Sequence, residues 1–81
     1  MTKKDIEKEW TGYAKKLLLH RKIALVRYMT EEEQAEIGWY SRSIVIQLDN
    51  GVALFPSRDD EGNDAGALFT SDEDLPIIPV I

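Results

Sequence analysis

Residues Ser57 to Gly66 (SRDDEGNDAG) crowd four carboxylates, an amide and two glycines into ten positions. Carboxylates in that number ligate a hard divalent cation, divide acid and base duties, or solvate a turn. An EF-hand loop fits in neither register. With Gly62 at the sixth position, Ser57, Asp59 and Glu61 fall on ligand positions, but Leu68 stands where the bidentate glutamate belongs. With Gly66 there instead, Ala65 fails at the fifth position and Asp72 is one methylene short at the twelfth. The cation reading therefore reduces to an irregular Mg²⁺ or Ca²⁺ site built from Asp59, Asp60, Glu61 and Asp64. Catalysis by the same groups needs a pocket that desolvates one carboxylate and splits their pKa values, and neighbours on one exposed loop share an environment. The expectation is a solvated connection, with Arg58 beside the acids to hold it by a carboxylate contact.

Other chemistry is sparse. The chain has no cysteine and a single histidine, His20, which removes disulfides, thiolate nucleophiles and cysteine-based zinc sites. His20 sits after a leucine run, where an imidazole at a helix C-terminus is favoured by the dipole. No Gly-x-Ser-x-Gly elbow and no glycine-rich phosphate loop is present, so no catalytic residue and no cofactor is expected. Two surfaces are candidates for binding. Lys15, Lys16, Arg21, Lys22 and Arg27, with Tyr13 and Tyr28 nearby, combine positive charge with rings on which bases stack, the requirement for single-stranded nucleic acid. Trp39, Tyr40 and Arg42 are the residue types that dominate protein interfaces, although a Trp just past a helix end also packs back as core.

Charge separates along the chain. Residues 1 to 28 carry eight Lys and Arg against three acids, a net +5; residues 29 to 81 carry two against twelve, a net −10. That bipolarity weakens long-range steering toward phosphate and favours head-to-tail association with a protein, including a second copy. With 43% apolar and 31% charged residues among 81, the composition is that of one small globular domain, residues 1 to 81, with a thin core. No apolar run approaches the roughly 20 residues that span a bilayer, and MTKKDIEKEW has no apolar leader core, so the expected setting is the cytoplasm, away from membranes.

The elements that position these groups are legible from periodicity. Ile6, Trp10, Tyr13, Ala14, Leu17 and Leu18 trace one face of a helix over residues 3 to 19, with Thr2 and Asp5 as a capping box. KIALVRYM (22 to 29) has apolar residues on both parities and reads as a strand covered on both faces. Thr30 and Glu33 cap a short second helix that Gly38 terminates. Asn50-Gly51 between alternating runs predicts a two-residue type I′ hairpin that sets Leu48 opposite Ala53 and Ile46 opposite Phe55. Pro76 and Pro79 make the C-terminal stretch an edge strand or extended segment.

Together these predict an α+β domain. Its N-terminal amphipathic helix packs on a small curled antiparallel sheet of four to five strands, with the short second helix between strands one and two. The layout resembles SH3-like and Sm-like small barrels in architecture alone, without their signature residues, so no function follows. The hairpin and LFPSRDDEGNDAGALF also resemble a recurring segment of small bacterial proteins, to which no activity attaches. The expected function is that of a non-catalytic accessory or interaction module using Trp39 to Arg42, Arg58 or the acidic loop. A nucleic-acid-binding barrel using Lys15 to Arg27, and a cation loop at Asp59 to Asp64, are the alternatives.

Overall fold

Thr2 opens the first helix by reciprocal bonding: its hydroxyl accepts from the Asp5 amide, and the Asp5 carboxylate accepts from the Thr2 amide. The computed structural model describes residues 2–81, and in it this helix, α1, spans Lys3–Leu18. The Leu19 amide closes the last turn on the Lys15 carbonyl at 2.9 Å, and His20 then turns the chain with a left-handed φ of 64°. Strand β1 (Ile23–Tyr28) follows, then α2 (Glu31–Ile37), with a second capping box at Thr30 and Glu33 and a left-handed Gly38 as terminator. Four short strands complete the chain: β2 (Ile44–Leu48), β3 (Ala53–Leu54), β4 (Leu68–Phe69) and β5 (Ile77–Ile78).

The strands form two open antiparallel sheets, ordered β1-β2-β3 and β4-β5, so neither a single four- to five-stranded sheet nor a closed barrel is built. β5 lies between Pro76 and Pro79, as the missing ladder donors require. The hairpin register differs by one residue from the expectation, with Ile46 opposite Leu54 and Gln47 opposite Ala53. The reason lies in the turn. Gly51 has φ 85° but Asn50 does not enter the left-handed region, which a type I′ turn demands of both. Instead the Gly51 amide donates to the Leu48 carbonyl at 3.0 Å and the Leu48 amide to the Val52 carbonyl at 2.8 Å. This is a three-residue loop with Gly51 as its left-handed bulge, and Asn50 Oδ1 accepts from the Val52 amide at 3.1 Å. A one-residue slip exchanges faces, so Leu54 joins Ile46 where Ala53 and Phe55 were expected.

One side of the sheet carries the core proper: Met29, Trp39 and Val45 pack together with Ala65 against them, and the Trp39 and Phe55 rings meet edge-on with centroids 5.8 Å apart. Ile44 and Leu48 are buried as well. α2 is tied to this side by polar contacts. Arg27 grips Glu33 through two hydrogen bonds of 2.7 and 3.0 Å, and the Gln34 side-chain amide donates to the Trp39 carbonyl at 3.0 Å.

α1 does not pack on the sheet. None of its residues is buried, and the outer residues of β1 (Ile23, Leu25 and Val26) are exposed too, so the strand is not covered on both faces. Its link to the rest is at the last turn, where the Asn50 side-chain amide donates to the Leu17 carbonyl at 3.3 Å. The consequence is an elongated molecule, 40 × 28 × 27 Å, with a radius of gyration of 14.5 Å where a compact chain of this length has about 12 Å.

Candidate interaction surface

Helix α1 presents a row of exposed apolar side chains. Ile6, Trp10, Tyr13 and Leu17 succeed one another at intervals of four, three and four, so they stack into one stripe along its length, with Leu18 and Leu19 continuing at the end. All six are exposed, Trp10 by 66%. The Trp10 and Tyr13 rings meet edge-on at 5.7 Å and 80°, and the Tyr13 hydroxyl donates to Glu9 Oε1 at 3.0 Å, which holds Glu9 on the stripe's flank. On the same flank, two turns along, Lys16 stands one turn before the body, lining a shallow groove with Tyr13, Leu17, Arg21 and Asn50. A helix of 16 residues with nothing against its apolar face is marginal in water, because helices in proteins take most of their stability from packing.

The accessible surface quantifies the gap. It amounts to 6597 Å², against about 5,000 Å² for a compact monomer of this size, so roughly 1,600 Å² stays exposed that a packed chain would cover.

The acidic loop is built differently, from hydrogen bonds to itself. Asp59 Oδ1 accepts from the Glu61 and Asn63 amides at 3.1 and 3.2 Å, and Oδ2 from the Asn63 side chain at 2.9 Å. Asp64 Oδ1 accepts from the Ala65 and Tyr40 amides at 2.8 and 3.0 Å, and Trp39 Nε1 donates to the Gly62 carbonyl at 2.6 Å. These contacts pin the loop to the core. The Asn63 bonds hold the Asp59 carboxyl below its ordinary pKa, and the Ala65 amide does the same for Asp64. Among the described residues no three acidic or histidine side chains gather as a metal-binding group, so Asp59, Asp60, Glu61 and Asp64 are not brought together as ligands. Arg58 approaches Asp59 at 3.8 Å with both side chains exposed, a contact of little energetic weight.

The remaining sites separate in the same way. Trp39 is 7% exposed and belongs to the core; its ring packs with Met29, Val45 and Phe55. Its neighbour Tyr40 is 87% exposed. Arg42 pairs through its backbone with Ile81 in both directions, at 2.6 and 2.9 Å. Of the basic set, Lys16 and Arg21 line one groove and Lys15 another, with Leu18 and His20. Arg27 is spent on Glu33, whose carboxyl it pulls down to about 2 with help from the Thr30 amide. Lys15, Lys16, Arg21 and Arg27 are thus distributed over separate surfaces. What the residue-by-residue reading missed is the stripe on α1, taken for a face packed on the sheet; its four-three-four spacing with Glu9 and Lys16 on the flank was the available signal.

No helix among the described residues is long and apolar enough to cross a membrane. No family model, curated protein or solved structure matches the chain.

Proposed function

We propose that this protein is a non-catalytic interaction module that presents α1 to another polypeptide from the platform formed by the sheet, α2 and the acidic loop. The observation that carries this reading is the exposure of Ile6, Trp10, Tyr13, Leu17, Leu18 and Leu19 on a helix patterned for burial. A contiguous apolar stripe of this extent marks a binding surface on a small protein. The reading moves the centre of interaction from Trp39 to Trp10. It also assigns the loop carboxylates a structural duty, since Asp59 and Asp64 already accept the bonds that hold the loop.

Photo-crosslinking tests it directly. A photoreactive side chain replacing Trp10 or Tyr13 in the full chain is expected to give crosslinks to polypeptide, whether another copy or a different protein, while the same group replacing Lys8 gives few. Equal yields at positions 8 and 10, or none at position 10, would contradict the proposal.

A further inference from the structure

Resting on that reading, we infer that the polypeptide covering α1 is a second copy of this chain, whose own α1 lies antiparallel across the first. With the two stripes facing, Ile6 of one copy meets Leu17 of the other, and Trp10 meets Tyr13 of the other. Both contacts then occur twice about a twofold axis, so the assembly closes at two.

Charge selects the antiparallel arrangement. In this register Glu9, on the flank of the stripe, faces Lys16 of the second copy, and Lys16 faces its Glu9, giving two opposite-charge pairs beside the seam. On the other flank Glu7 faces Ala14. A parallel arrangement instead sets Trp10 on Trp10, leaves Glu9 against Ala14 and gives Lys16 no acidic partner on the facing helix, which ends at Leu18. The amount of surface agrees. A standard interface covers about 800 Å² on each partner, and the α1 stripe contributes to the roughly 1,600 Å² by which the whole chain exceeds a compact monomer. The same contact supplies the packing that a 16-residue helix lacks in isolation.

Sedimentation equilibrium of the purified full chain, with charge exchange at the flank, tests this. The chain is expected at twice the monomer mass at micromolar concentration and above. Trp10→Glu should yield a monomer whose body still melts cooperatively, since that side chain contacts none of the core. Glu9→Lys alone or Lys16→Glu alone should weaken association by roughly tenfold, because each makes two like-charge pairs, and the double exchange should restore it. A dimer unaffected by these exchanges would overturn the antiparallel pairing. A monomer whose position 10 crosslinks to a different protein would overturn the second-copy inference and leave the proposed function standing. A monomer with slowly exchanging α1 amides and no crosslink at position 10 would overturn both, since the helix would then pack on its own body.

Discussion

The two tryptophans belong to two kinds of structure. Trp39 touches Met29, Val45 and Phe55 and donates its N–H to the Gly62 carbonyl, so sheet and loop meet at its ring. Trp10 touches its own helix neighbour Tyr13 and otherwise faces outward. Both helices begin with a threonine capping box, yet α2 is drawn onto the body by Arg27 and Gln34 while α1 is attached at one end by Asn50. Local sequence decides whether a helix starts. What it packs against depends on whether the rest of the chain offers a matching surface, and here the sheet spends its buried area on residues 29 to 65.

The largest expected contrast between body and arm is therefore between the two rings. Trp39→Ala should cost about 3–5 kcal/mol, most of the stability of a domain this small, and leave the chain largely unfolded in urea titrations that the parent survives. Trp10→Ala, read at concentrations dilute enough to keep the chain monomeric, should change the body's stability by less than about 0.5 kcal/mol. Comparable losses from both would mean that α1 packs on the body after all.

Acid should act on the body next. Glu33 has its pKa lowered to about 2, chiefly by Arg27, and Asp59 and Asp64 are lowered by the bonds of the loop. A carboxyl depressed in the folded state contributes stability that is fully present above its unfolded pKa, about 4 to 4.5, and is lost as pH falls toward the folded value. The melting temperature of the body should accordingly hold above about pH 5 and drop between there and pH 2. These groups are exposed, so the drop should shrink in high salt. Glu33→Gln should flatten part of it.

Two backbone positions sharpen the contrast further. Gly51→Ala forces a Cβ into the left-handed bulge at φ 85° and should destabilise the body by about 1 kcal/mol in chemical denaturation. His20 holds the same kind of conformation, φ 64°, but at the joint between arm and body. His20→Gly should relieve it and stabilise the end of α1 by up to about 1 kcal/mol, visible as increased helicity with an unchanged body transition.

What could be read from residue types alone follows the range of the interactions involved. Thr2 with Asp5, Thr30 with Glu33, and Gly38 as terminator act within one turn, and both helices stand where those residues predict. The hairpin is placed correctly by Asn50-Gly51, but its register turns on whether Asn50 also takes positive φ. Asn50 instead stays out of that region and accepts the Val52 amide, which moves Ala53 and Phe55 to the other face. The α+β class was legible; the division into two sheets was not, because it depends on how Pro56 to Gly66 folds over Trp39. The destination of the Ile6 to Leu17 stripe was the least legible feature. An amphipathic period states that a face is to be covered and carries no information on which chain covers it.

Amide hydrogen exchange as a function of protein concentration measures that difference most directly. If α1 is covered by a second copy, its amides exchange at nearly unprotected rates in dilute solution and become protected as concentration rises, while those of β2 stay protected throughout. Protection of α1 that is already present in dilute solution and does not change with concentration would contradict the account.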